Sequence, residues 1–135
     1  MALNKLDHYS IRTTDVPATQ SFYEKNLSLQ VGPRPQFPFP GCWLYNGSQA
    51  VVHVIGIDPN DAAGLKDYLG DRAAEGPGSG NLDHIAFTAD NLPAMRSHFK
   101  ETGVEFRERH VPGMALDQIF LTDPTGIVIE LNFAA

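Results

Sequence analysis

The alternation of apolar and polar positions divides the chain into short strands and two helices. Residues 6–14 alternate with period two and read as a strand that places Leu6, His8, Ser10 and Arg12 on one face. Asp15 then reads as a helix N-cap with Pro17 in the first turn, so a helix is expected over 16–27, its apolar stripe carried by Phe22, Tyr23 and Leu27. Residues 28–40 begin as a short strand and become proline-rich, which suits a sheet edge and an irregular loop. Gly41–Tyr45 reads as a strand with Trp43 and Tyr45 on one face, Asn46-Gly47 as a hairpin turn, and Ala50–Ile57 as the returning strand, with Val51, His53 and Ile55 sharing a face. The alternation then stops. Residues 58–81 are glycine- and proline-rich and charged, and read as a connector with a short helix near 62–68.

Beyond the connector the pattern starts again. Leu82-Asp83-His84 repeats Leu6-Asp7-His8 at an offset of 76, and Leu92-Pro93-Ala94 repeats Val16-Pro17-Ala18 at the same offset. A second helix is expected over 92–102, with strands near 104–109, 117–122 and 127–133. At an offset of 77, Trp43 falls on Phe120, Ala50 on Ile127 and His53 on Glu130. Each half therefore reads strand, helix, strand, strand, strand, an α+β arrangement in which a repeat decides the fold. The expectation is a single domain over 1–135, with module one at 5–57, the connector at 58–81 and module two at 82–134. A pseudo-twofold axis would relate His8 to His84 and His53 to Glu130, and bring all four to the inside of one curved sheet.

Composition narrows the partners. The chain has 135 residues, 42% apolar and 19% charged, enough for a substantial core. A formal net charge of −6 argues against nucleic acid or an anionic membrane as partner. No apolar run approaches the roughly 18 residues of a membrane helix, and no apolar segment follows Met1–Lys5, so no secretory leader is expected. With Cys42 as the only cysteine there is no internal disulfide, and a reducing cytoplasm is the expected compartment.

Glu130 is the residue that most needs explaining. It lies inside the apolar run 127–133, behind the turn Asp123-Pro124-Thr125-Gly126. A buried carboxylate is costly unless paired, protonated or bound to a metal. His8, His53 and His84 occupy comparable runs. Taken singly, each histidine reads as a hydrogen-bonded core or surface group, and the glutamate as an edge residue facing water. Taken jointly, they read as a shared site for a borderline divalent metal, because imidazole and carboxylate suit iron(II), manganese, nickel, cobalt or zinc. His98 reads as a solvated helix residue. His110 is either plain loop or a polar group reaching over the site. Trp43, Tyr45 and Phe120 are core or pocket wall, and Arg12 is an anion contact or a surface ion pair.

The two Leu-Asp-His openings and the Asp-Pro-x-Gly-x-x-x-Glu ending resemble those of the vicinal oxygen chelate superfamily, over nearly the whole chain outside 58–81. That group includes glyoxalase I, fosfomycin and bleomycin resistance proteins, and extradiol ring-cleaving dioxygenases. The resemblance implies two paired βαβββ modules forming an open eight-stranded mixed sheet around a metal. It implies His8, His84 and Glu130 as metal ligands, and His53 either as a fourth ligand or as the group that moves protons. Glyoxalase I usually carries a glutamate at the His53 position. The extradiol enzymes place a histidine there, and a later histidine to which His110 is similar, but carry a tyrosine where this chain has Phe120. The resemblance thus implies a metal-dependent enzyme acting on a small oxygen-chelating substrate, with extradiol-type ring cleavage and iron(II) placed first. A glyoxalase-like lyase or isomerase comes second, and a non-catalytic small-molecule binding protein third. A homodimer is expected, with the site in one chain or completed across two.

Overall fold

A computed structural model describes residues 5–58, 60, 82, 84–111 and 114–135. The helix expected near 62–68 lies outside the described residues. The chain divides into two compact units, Met1–Pro77 and Gly78–Ala135.

In the first unit β1 (Tyr9–Thr13) leads into α1 (Val16–Leu27), followed by β2 (Gln30–Gly32), β3 (Gly41–Asn46) and β4 (Gln49–Gly56). The sheet order is β1-β4-β3-β2, with β1 parallel to β4 and the other pairs antiparallel. In the second unit β5 (Ile85–Thr88) leads into α2 (Leu92–Thr102), followed by β6 (Arg107–His110), β7 (Leu116–Thr122) and β8 (Val128–Ala134). Its order, β5-β8-β7-β6, is the same arrangement. Each unit is thus the βαβββ module expected from the repeat, and the chain builds two open four-stranded mixed sheets.

Capping sets the helices. The Asp15 carboxylate accepts from Ala18 N–H at 3.0 Å, and Ser28, at φ 56, closes α1 in the left-handed conformation. Asn91 accepts from Ala94 N–H at 3.2 Å, and Gly103, at φ 76, closes α2. Each helix buries one large ring completely, Tyr23 on α1 and Phe99 on α2, and those two positions are related by the same offset of 76. Leu44, Val52 and Val54 in the first sheet, and Ile119, Ile129 and Leu131 in the second, form the buried side of each sheet. Thr19 on α1 hydrogen bonds to Thr13 at 3.0 Å, and Arg96 on α2 pairs with Glu108 on β6, so each helix covers one face of its own sheet.

The opposite face of the first sheet is partly covered by its own proline-rich segment. Phe39 and Ile55 form a small buried cluster with Phe37 and Ile57 against it. Arg34 donates to the Phe39 carbonyl at 2.8 Å and lies over both phenylalanine rings. The stretch 33–40, expected as plain edge and loop, is therefore a packed strap. Alternation of Phe37 and Phe39 between prolines was the available signal.

Cys42 lies in β3 on the buried side, and burial pushes its thiol pKa up to about 11. The thiolate is the reactive form. The native protein should therefore not react with a disulfide-exchange reagent at about pH 8, and should react fully once denatured. Rapid native reaction at that pH would show that this strand opens readily.

Candidate functional site

The polar residues singled out by the repeat occupy equivalent places in the two sheets. On β3 and β4, Trp43 is directly opposite His53; on β7 and β8, Phe120 is directly opposite Glu130. On the neighbouring parallel strands, Ser10 pairs with His53 and Ala86 with Glu130, each two residues beyond the histidine that precedes its strand. His8 and His84 therefore sit at the entrance of β1 and β5 rather than inside them, where a strand beginning at residue 6 would have put His8.

In the first unit three rings form a continuous stack. The His53 ring lies 3.6 Å from that of His8 at an interplanar angle of 11°, and 3.9 Å from that of Trp43 at 10°. Both faces of His53 are thus covered, and its exchangeable chemistry is confined to the ring edge. Burial, followed by the neighbouring His8, holds the His53 pKa below the usual histidine value; a hydrogen bond with the Ala50 backbone acts the other way. His8 Nδ1 lies 2.6 Å from Asp7 Oδ2, the arrangement that leaves Nε2 as the lone-pair donor. That contact is also the main cause of the lowered Asp7 pKa.

Tyr45 does not join the stack. A β-bulge between Leu44 and Tyr45 pairs Tyr45 with Ala50 and skips Val51. Its ring lies over Gly32, which has no room for a side chain beneath it, and its hydroxyl donates to the Pro33 carbonyl. Arg12 is half-buried on the His8 side of β1, opposite Ile55 and not opposite His53.

In the second unit His84 Nε2 and Glu130 Oε1 are 3.8 Å apart, with the Glu130 side chain 14% exposed. Gln118 Nε2 donates to Glu130 Oε1 at 2.9 Å and Asn132 Nδ2 donates to Oε2 at 3.0 Å. Phe120 flanks the carboxylate, with the Arg107 guanidinium 4.7 Å above its ring. His110 lies elsewhere. It pairs with Asp117 at 2.7 Å, and the register that puts Arg107 opposite Phe120 puts Glu108 and His110 on the α2 side of the sheet. His110 is therefore on the face opposite Glu130. His98, on α2, lies beside Phe99. Gln118 and Asn132 were not singled out from the sequence. Each lies two residues from a singled-out position on the same face, so the period-two alternation contained them.

Among the described residues, no three His, Cys, Asp or Glu side chains are grouped so that they could hold a metal ion. The second unit contributes one imidazole and one carboxylate, a nitrogen–oxygen pair that one ion with bonds of roughly 2.0–2.2 Å can span. The first contributes an imidazole with a carboxylate behind it, the usual outer partner of a metal-bound histidine. Imidazole and carboxylate are donor types that suit a divalent metal.

Comparison with known proteins places the chain in a family. The family described as the Glyoxalase/Bleomycin resistance protein/Dioxygenase superfamily matches residues 5–131. A protein named glyoxylase I 4 from Arabidopsis thaliana is 27% identical over 96% of this chain and 70% of its own length. A lactoylglutathione lyase from Schizosaccharomyces pombe is 27% identical over 97% of this chain; the chain spans 48% of that relative. Among solved structures, a lactoylglutathione lyase from Agrobacterium tumefaciens shares the fold at TM-score 0.71 and 16% identity, over 98% of this chain and 96% of the other. No helix among the described residues is long and apolar enough to cross a membrane.

Proposed function

Because the chain belongs to the glyoxalase/bleomycin resistance protein/dioxygenase superfamily, we propose that it is a divalent-metal-dependent enzyme acting on a small substrate through two neighbouring oxygens, with glyoxalase-like lyase or isomerase chemistry ahead of ring cleavage. His8, His84 and Glu130 would hold the ion. When bound, it supplies Lewis acidity toward the two substrate oxygens.

The observation that carries this reading is the pairing of His84 with Glu130 in one module, at positions equivalent to His8 and His53 in the other. His53 is the proton carrier. Burial keeps it neutral near physiological pH, so it accepts a proton from the substrate carbon beside those oxygens and returns it. Trp43 holds the His53 ring in place by stacking, and Phe120 offers an apolar wall beside Glu130.

Two features weigh against ring cleavage. Phe120 has no hydroxyl to offer a phenolic substrate, and His110 lies on the far side of the sheet from Glu130. The relatives named for lyase chemistry add weight to the other side. The two chemistries separate in one pair of assays. The chain loaded with nickel or zinc is expected to isomerise the hemithioacetal of methylglyoxal and glutathione, followed by absorbance. Loaded anaerobically with iron(II), it is expected to take up no oxygen with a panel of catechols. Oxygen uptake without isomerisation would reverse the order. A chain that holds no metal yet retains small molecules would replace the enzyme by a binding protein.

A further inference from the structure

The Glu130 carboxylate is held at both oxygens by a closed set of amides. Gln118 on β7 and Asn132 on β8 are cross-strand partners. Gln118 Nε2 donates to Glu130 Oε1 at 2.9 Å and to Asn132 Oδ1 at 3.0 Å, while Asn132 Nδ2 donates to Glu130 Oε2 at 3.0 Å. The arrangement has a direction. Both amides turn nitrogen toward the carboxylate, so that each of its oxygens accepts one N–H. Either amide turned round would set oxygen against oxygen. The arrangement also leaves a trace of its cost. Gln118 is 8% exposed, and its Oε1 is buried with no hydrogen-bond partner. Buried polar atoms are nearly always satisfied, and one left unsatisfied calls for a reason. Here the reason is that both N–H groups of the same amide are committed to Glu130 and Asn132.

The first module supplies an internal comparison. There the pair Gly41–Ile55 flanks Trp43–His53, as Gln118–Asn132 flanks Phe120–Glu130. The carboxylate is replaced by an imidazole, and both amides are absent. Gly41 could not carry one, because a Cβ at that position would collide with the Val54 carbonyl oxygen. The amide pair accompanies the carboxylate, not the strand position.

We propose that Gln118 and Asn132 are positioning residues that hold the Glu130 carboxylate in one orientation for a divalent cation, an inference that rests on the metal reading above. They act through Glu130. With one hydrogen bond fixed at each oxygen, the remaining lone pairs keep a set direction, and a cation binds without reorganising the ligand. Outer partners of this kind typically contribute 10–100-fold to metal affinity.

The test uses Gln118→Met and Asn132→Leu, which keep volume and remove the amide. Cobalt(II) binding is measured by calorimetry, and the melting temperature of the metal-free protein is measured alongside. Each variant is expected to bind cobalt(II) about 10–100-fold more weakly than the wild type. The metal-free Gln118→Met protein is expected to melt close to the wild-type temperature or a few degrees below it, because removal of the unpaired oxygen offsets part of the two lost hydrogen bonds. Affinity and stability moving independently is the signature that a packing role would not give. The inference is overturned if either variant keeps wild-type affinity, or if loss of affinity simply follows loss of melting temperature in both. A wild-type chain that binds no cobalt(II), nickel or zinc overturns the metal reading itself and this inference with it.

Discussion

Glu130→Gln is expected to weaken cobalt(II) binding by more than the roughly 10–100-fold of an outer-partner variant, because in the proposed site it removes the ligand charge itself. The substitution keeps size and shape. It removes the charge, and it leaves one oxygen where the carboxylate presented two to Gln118 and Asn132. The readout lies in the other half of the chain. Trp43 is the single tryptophan, and only the His53 ring separates it from His8 in the stack. Cobalt(II) held by His8 should quench Trp43 emission, and a chelator should restore it. In Glu130→Gln the quench should be lost at concentrations that saturate the wild type. Equal affinity in the two proteins would remove Glu130 from the ligand set. A quench that is lost in His8→Ala but kept in Glu130→Gln would leave a site built on the first module alone.

The second large effect concerns the turn that aims β8. Asp123→Ala should destabilise the protein by about 3–5 kcal/mol, because a buried hydrogen-bonded carboxylate leaves several donors unpaired when removed. Asp123 is 4% exposed. Its Oδ1 accepts from Thr125 N–H at 2.8 Å, from the Thr125 hydroxyl at 2.7 Å and from Ile127 N–H at 3.0 Å. Asp123 N–H donates to the Ile127 carbonyl at 2.9 Å, and Gly126 takes φ 96 to complete the turn. Hydrogen bonds to a charged group contribute about 1.5–3 kcal/mol each, but three on one oxygen do not add fully. Asp123→Asn keeps an acceptor and should lose less; Thr125→Val removes one bond and should cost about 1 kcal/mol. Urea denaturation measures all three. A loss below about 1 kcal/mol in Asp123→Ala would mean that water takes over these donors.

What could be read from the sequence follows from where the determinants are local. Both helices fall where expected, 16–27 because Asp15 and its following proline leave few choices of start, and 92–102 because Leu92-Pro93-Ala94 repeats that start. The repeat carried the fold, since cross-strand pairs such as Trp43–His53 and Phe120–Glu130 are consequences of equal hairpins. Strand starts were less legible. β1 begins at Tyr9 and β6 at Arg107, later than apolar content implies, because a strand begins where a partner pairs and not where residues turn apolar. His110 shows what alternation alone leaves open. Period two says which residues share a face, but not which face looks toward Glu130; the Arg107–Phe120 register decides that. Gln118 and Asn132 were invisible for another reason. A neutral amide is unremarkable in a strand until its partner's charge is known.

The two modules differ by a single residue of spacing, and its position is informative. The offset is 76 through the helices and 77 from β2 and β6 onward. The extra residue therefore lies between α2 and β6, where no ladder must be kept in phase. A one-residue change inside either β3–β4 or β7–β8 would turn every later side chain to the other face, sending His53 or Glu130 toward a helix. The helix-to-edge-strand connection is thus where this architecture accepts changes of length, and the long hairpins are where it does not. Grafts or inserted tags that preserve the paired residues belong at Thr102–Phe106 or its counterpart at Ser28–Leu29.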